Sequence, residues 1–276
     1  LTRIEPPLHP DGPEKVLMDW KTEPEDFDEG GFLEWFKTGE GRYKHGKTTE
    51  GIFAPWFLMK EDFQSIGGHD PLYAPQSKED SDIFNRFLLN GYEFIQTWDG
   101  AVYHMTCRGS RYNPTLTEVG KESDEWLAQN VRSTRNFIRK WGHFVKHDRL
   151  MKPVIPHKYD IQFRIFNANE KILNMLEPWC SNIYVDIPDG DVEHYIELEQ
   201  PNTKFDLSTR INVEGVDSDI IVRFDARSLT QNSFNFIQNL SEIFDFNEFE
   251  IGEYEFDIFN IKVNRVKHYE TQLVKL

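Results

Sequence analysis

Ser77-Lys-Glu-Asp-Ser-Asp-Ile-Phe-Asn-Arg-Phe-Leu-Leu-Asn-Gly91 is the stretch from which the rest of the chain is read. Ile83, Phe84, Phe87 and Leu88 recur at helical spacing, and Asn90-Gly91 ends the pattern with residues that tolerate a left-handed backbone. Ser77 and Asp80 occupy the first and fourth places of an S-x-x-[DE] capping box, which satisfies the open backbone amides of a helix start. A helix therefore begins here with three carboxylates, Glu79, Asp80 and Asp82, at its positive end.

Upstream, residues 51 to 59 form a dense apolar run that predicts a buried strand, and residues 60 to 66 predict a short helix stopped by Gly67-Gly68. Residues 1 to 50 are rich in Pro, Gly and charge and read mostly as loop, apart from a short helix around Phe32 to Phe36. Downstream, residues 92 to 97 and 101 to 105 predict short strands around the turn Trp98-Asp-Gly100. A long amphipathic helix follows at about 122 to 147, with Leu127, Val131, Ile138, Trp141 and Val145 as its apolar stripe. Arg132, Arg135, Arg139, Lys140 and Lys146 fall on its solvent side.

Pro153 and Pro156 mark a linker, which divides the chain into domains at 1–150 and 158–276. Beyond it the pattern reads strand (159 to 166), helix (169 to 179), strand (182 to 187), irregular segment, strand (219 to 224), helix (228 to 244) and strand (254 to 263). That β-α-β-β-α-β order predicts a ferredoxin-like α+β domain.

The 276 residues are 38% hydrophobic, enough for real cores, and the formal net charge is -16. From Lys158 onward 22 Asp+Glu face 11 Lys+Arg, so the acidity concentrates in the C-terminal part. Such a chain repels phosphate backbones, which argues against nucleic acid as a partner. No run approaches the ~20 apolar residues of a membrane span, and no secretory signal pattern opens the sequence. Cys107 and Cys180 are too few for a disulfide framework and sit in apolar stretches, so buried free thiols and a reducing, cytoplasmic setting are expected. The opening Leu1-Thr-Arg-Ile-Glu-Pro-Pro reads as the middle of a longer protein, which points to a fragment.

The chemistry-bearing residues concentrate between Ala54 and Asn113, in the order Gly67-Gly-His-Asp70, Glu79-Asp-Ser-Asp-Ile-Phe-Asn-Arg86, Gly91-Tyr92 and Val102-Tyr-His104. This ordered series resembles the second half of a family 2 glycosyltransferase catalytic domain. There a G-G-x-D turn precedes an acidic pair opening a helix with D-[hydrophobic]-x-x-R, then G-Y, then a strand ending in V-x-H. The resemblance covers about residues 1 to 115 and implies an α/β domain: the acceptor-side part of a GT-A (Rossmann-like) fold lacking its N-terminal nucleotide-binding half.

The resemblance further implies an inverting, metal-dependent glycosyltransferase. Asp80 matches the catalytic base, Glu79 and Asp82 position it, Arg86 pairs with one of them, and Asp70 joins the substrate-binding residues. His104 matches a late histidine that helps hold Mg²⁺ or Mn²⁺, and Trp56 offers a ring for the acceptor sugar. Arg108 and Arg111 are placed to contact diphosphate oxygens. The implied partners are a nucleotide-sugar donor, a UDP-sugar first among them, and a hydroxyl acceptor such as a glycan or lipid-linked sugar. The family's metal-binding D-x-D lies upstream of everything quoted, and no residue here supplies it.

Other readings accompany each residue. Asp80 also suits a helix cap, His104 a packing histidine, Arg108 and Arg111 surface charge, and at least one of Trp56 and Phe57 core packing. Asp189-Gly-Asp191, a second D-x-D, reads as a plain turn, and His143 with His147 as polar residues on a helix face rather than a zinc pair. At the level of the whole chain the alternatives are a non-catalytic carbohydrate-binding or interaction module and a glycoside hydrolase. The hydrolase needs two acids roughly 5 to 9.5 Å apart across a cleft, which the adjacent Glu79 and Asp80 do not by themselves present.

Overall fold

The structure is a computed structural model that describes residues 1–38, 46–52, 54–105 and 122–276. It is a mixed α/β protein whose chain groups into two compact units. The first comprises Leu1–Gly68, Phe84–Gln129 and Lys146–Val154, and the second His69–Ile83, Asn130–Val145 and Ile155–Leu276. The break at Val154 falls in the Pro153–Pro156 linker, while two stretches upstream of it belong to the second unit.

The first unit is built on β1 (Thr2–Glu5), β2 (Lys15–Leu17), α1 (Glu29–Thr38), β3 (Thr48–Thr49) and α2 (Lys60–Ser65). The last part of α3 (Glu79–Leu89), then β4 (Gln96–Thr97) and β5 (Ala101–Tyr103) complete it. β1 is the centre of a parallel sheet of order β2-β1-β5, with Arg3 opposite Lys15 and Val102. Strand residues alternate faces. Ile4 on one face packs with Val16, Trp20 and Trp98, and Phe27, Phe32 and Tyr103 pack against that cluster. Arg3 and Glu5, two apart, are also buried, and Lys15 donates to Glu5 at 2.7 Å while Arg3 donates to Glu14 at 3.2 Å.

The loop expected over residues 1 to 50 is thus partly a buried parallel sheet, hidden in the sequence because its charges neutralise one another. Among the described residues of 51 to 59 the expected strand does not form. Pro55 removes a ladder donor, and Phe57 is 99% exposed. Only Gln96 and Thr97 of the strand expected at 92 to 97 pair, antiparallel to the two residues of β3.

Within the second unit, α4 (Asp124–Trp141, from Asn130 onward) precedes β6 (Ile161–Phe166), α5 (Glu170–Leu176), β7 (Asn182–Val185) and α6 (Asp189–Glu199). β8 (Ile220–Asp225), α7 (Gln231–Gln238), α8 (Leu240–Asn247), β9 (Gly252–Phe256) and β10 (Phe259–Val263) follow. The sheet order is β7-β6-β8-β10-β9, with β7, β6 and β8 parallel and β10 antiparallel to both neighbours. Phe163, Ile165, Ile183, Val222 and Ile261 line its core together with Leu173, Leu176 and Tyr195 from the helices.

This arrangement replaces the ferredoxin-like order. The segment read as irregular after β7 contains α6, which adds a crossover and makes β8 parallel to β6, so Asp189-Gly-Asp191 is a first helical turn rather than a plain turn. Carboxylates there favour a helix N-terminus, and Val192, Tyr195 and Glu199 form its buried face. The single strand expected at 254 to 263 folds back as the β9-β10 hairpin, where Asp257 takes a positive φ of 49° and accepts a hydrogen bond from Ser233 at 2.7 Å.

α4 differs from its expected phase. Val131 of the predicted apolar stripe is 59% exposed, whereas Arg139 and Lys140, assigned to solvent, are buried. The helix stops at Trp141 because Gly142 adopts a φ of +84°, so His143 and His147 share no helix face. Arg139 is buried because Nε donates to both Glu177 oxygens, at 3.1 and 2.9 Å, and the guanidinium also pairs with Glu199. Arg135 donates to Glu199 at 2.7 Å and to Tyr195 at 2.9 Å. Cys180 is a buried free thiol, as expected, its pKa pushed up to about 12 by burial; Cys107 lies outside the described residues.

Glu177 carries the test of this network. Burial pushes its carboxyl up, but the Arg139, Arg210 and Arg135 guanidiniums outweigh that and hold it below the ordinary range. Its stabilisation is therefore complete above the unfolded-state pKa and lost as pH falls through the lower folded-state value. Glu177→Gln leaves Arg139 short of charge and is expected to cost about 3–5 kcal/mol at pH 7, with a flatter acid limb, in urea denaturation at pH 7 and pH 3.

Candidate functional site

The motif residues divide between the two units. In the second, the start of α3 and the preceding segment are organised by one cation. Lys140 Nζ donates to Asp70 Oδ2 at 2.8 Å and lies 2.6 Å from Asp82 Oδ1. The same Asp82 oxygen accepts from Trp141 Nε1 at 2.9 Å and from the Tyr73 hydroxyl at 3.3 Å. Burial, with Asp82 and Asp70 adding to it, pushes the Tyr73 phenol well above its usual range and keeps it a donor. Asp70 also accepts the Leu72 amide at 2.9 Å, capping the short 3-10 turn Pro71–Tyr73.

The capping box is not formed. Ser77 and Lys78 both have positive φ, of 78° and 73°, and the Ser77 hydroxyl donates to Asn130 Oδ1 at 2.9 Å. The Lys78 carbonyl instead accepts the Asp82 amide at 2.9 Å and opens the helix. Glu79 and Asp80 occupy its first turn, where the open amides favour negative charge.

Of the four motif acids, Asp82 is fully buried and tied down, and Asp70 is held by Lys140. Asp80 is exposed and makes no hydrogen bond or ion pair among the described residues. The protein crowded around its carboxyl nevertheless raises its pKa, opposed by His69. Glu79 is half-buried with its pKa raised mainly by burial, and its Oε2 is buried without a hydrogen-bond partner among the described residues.

In the first unit, Arg86 is fully buried and donates to the Ile66 carbonyl at 2.7 Å and the Gly68 carbonyl at 2.5 Å. It pins the Gly-Gly turn, in which Gly67 and Gly68 have φ of 86° and 73° and the added Cβ at Gly68 meets Phe63 at 3.0 Å. Trp56 packs edge-on against Phe84 at 5.7 Å and Phe87 at 6.5 Å, while its neighbour Phe57 offers a free ring. Packing thus accounts for Trp56, and Phe57 is the exposed aromatic of the pair.

His104 follows β5, and its Nδ1 lies 3.2 Å from Glu5 Oε2. Burial pushes the Glu5 carboxyl up, yet hydrogen bonds from Lys15 and His104 and the Arg3 charge leave it below the ordinary range, an anion fixed behind the imidazole. A carboxylate on one ring nitrogen, orienting the other, is the usual support of a metal-ligating histidine. Arg108 and Arg111 lie outside the described residues.

Sequence reading missed Lys140, Tyr73 and Trp141 as the anchors of the acidic motif, and Glu5 as the partner of His104. The only signal for Glu5 was the alternation of charges through Arg3 and Glu5; for Lys140 none was local. Compared with known proteins, the chain matches no family model, no curated protein and no solved structure.

Neighbouring carboxylates on one helical turn should then behave oppositely. Asp82→Ala leaves Lys140 with Asp70 alone and takes the acceptor from Tyr73 and Trp141, and is expected to cost about 3 kcal/mol or more in urea unfolding, whereas Asp80→Ala stays within about 0.5 kcal/mol.

Proposed function

We propose that this chain carries the acceptor-side part of a GT-A glycosyltransferase of the family 2 type, with Asp80 as the general base of an inverting transfer. The observation that supports this best is the division of labour at α3. Asp82 and Asp70 are consumed in holding the motif together, while Asp80 stands at the helix start, exposed and without a hydrogen bond or ion pair among the described residues, with its basicity raised.

In the reaction, an acceptor hydroxyl attacks the anomeric carbon of the donor sugar from the face opposite its diphosphate. The hydroxyl proton passes to an Asp80 oxygen about 3 Å away, and the bond to the diphosphate breaks with its electron pair leaving on the diphosphate oxygen. Glu79, next to Asp80 on the first turn of α3, serves as a positioning residue. The donor is a nucleotide sugar, a UDP-sugar on the family reading, and the acceptor a glycan or lipid-linked sugar. Mg²⁺ or Mn²⁺ would be held in part by His104, supported by Glu5, and would supply Lewis-acid neutralisation of the leaving diphosphate. Among the described residues no helix is long and apolar enough to cross a membrane.

Asp80→Asn in the full-length protein is expected to lower the rate of sugar transfer by about 10²- to 10⁴-fold, with nucleotide affinity unchanged. Because the folded-state pKa of Asp80 is raised, ionising it opposes folding as pH climbs through that value, so the variant keeps or slightly raises the thermal midpoint. The acid limb of the wild-type rate profile lies above the ordinary aspartate range of about 3.9. Transfer that survives in Asp80→Asn overturns the assignment, and sugar binding without any transfer in the wild type favours the interaction-module reading.

A further inference from the structure

A second cluster of chemistry-bearing side chains comes together in the second unit through strand register. Ile161 of β6 is opposite Ile220 of β8, which is opposite Val263 of β10, so the chain entering β6 and the chain leaving β10 meet at one end of the sheet. His157 precedes β6, and His268 and Glu270 follow β10. The two imidazoles stack with centroids 3.8 Å apart and planes 14° from parallel. One ligand atom from each of His157, His268 and Glu270 can be chosen so that all lie within 4.8 Å of one another.

Each side chain has its metal-binding atom available. His157 Nδ1 lies 3.0 Å from Asp245 Oδ1, and Asp245 is itself held by the Tyr159 hydroxyl at 2.7 Å and the His157 amide at 3.2 Å. With Nδ1–H directed at a carboxylate, the lone pair is on Nε2. Glu270 is buried and accepts the Lys158 amide on Oε2 at 3.0 Å, and its Oε1 accepts no hydrogen bond among the described residues. His268 is exposed and has ring contacts but no hydrogen bond among the described residues. Both histidines line a cavity of about 330 Å³, with Tyr159, Phe244, Asp245 and Phe249 among its walls.

We propose that His157, His268 and Glu270 form a binding site for one divalent transition-metal ion of the Zn²⁺ class, with a fourth position open to the cavity for water or another oxygen donor. Two imidazoles and one carboxylate suit Zn²⁺, whereas Mg²⁺ prefers oxygen donors in an octahedron. Bonds of about 2.0–2.1 Å place tetrahedral ligand atoms about 3.3 Å apart. The ligand atoms, within 4.8 Å of one another, must close by up to about 1.5 Å to reach that separation. The ion would tie the segment after β10 to the start of β6. This site is independent of the sugar-transfer reading, which uses none of its residues.

The test is titration of the purified full-length chain with Zn²⁺ by calorimetry and with Co²⁺ by visible absorption. One Zn²⁺ per chain and the intense ligand-field bands of four-coordinate Co²⁺ are expected. His268→Ala, an exposed position, and Glu270→Gln, which keeps an acceptor for the Lys158 amide, should each weaken binding at least about tenfold while far-UV circular dichroism is unchanged. Asp245→Asn should weaken it about 10- to 100-fold, and His194→Ala, an exposed histidine paired with Glu170, should leave it intact. No stoichiometric binding, or affinity unaltered in both His268→Ala and Glu270→Gln, overturns the site.

Discussion

Two adjacent cations near the end of α4, Arg139 and Lys140, are buried, and the second unit is arranged around the anions they require. A charge taken from water costs several kcal/mol unless partners replace its hydration. Arg139 obtains Glu177 and Glu199, and Lys140 obtains Asp70 and Asp82. Consecutive helical residues point about 100° apart, so one helix turn binds two separate sets of carboxylates from three stretches of chain. Removing Lys140 would leave Asp70 and Asp82 without their shared counter-charge, and removing Arg139 would leave Glu177 and Glu199 to Arg135 and Arg210 alone.

This constraint gives the acidic motif its form. Asp82 can be a fixed internal anion only because Lys140, Trp141 and Tyr73 meet it, and with Asp82 fixed the first turn of α3 has one orientation. Glu79 and Asp80, three and two residues earlier, lie about 60° and 160° round the helix from it, and Asp80 reaches solvent. A carboxylate carried on a helix whose neighbouring carboxylate is anchored is held in a fixed position with little freedom to reorganise. The same economy appears at β5, where Glu5, fixed by Lys15 and Arg3, sets the ring of His104.

The two sheets bury charge in different ways. The parallel sheet around β1 places Arg3 and Glu5 on one face against Lys15 and Glu14, so its centre is hydrophobic on one side and ionic on the other. The five-stranded sheet lines its core with Phe163, Ile165, Ile183, Val222 and Ile261, carries Arg164, Arg223 and Lys262 at alternate, partly exposed positions, and gathers further titratable groups at one end. There the register of β6, β8 and β10 collects His157, His268 and Glu270 from positions more than a hundred residues apart.

Local patterns in the sequence determined α2, α3 and the helix around Phe32, the turn at Gly67-Gly68 and the buried thiol at Cys180. Each of these follows from spacing, from a glycine's backbone freedom or from one residue's polarity, and none needs a distant partner. The order of the acidic motif was equally legible, although Ser77 does not cap the helix as its spacing suggested. Tertiary structure alone decided the strands β1 and β2, the phase of α4, the helix α6 and the anchoring of Asp82. In every one of these a charged side chain sits where a local reading puts solvent. Whether such a charge is buried depends on a counter-charge far away in sequence, as Arg139 depends on Glu177 and Lys140 on Asp82, and no local pattern records that pairing.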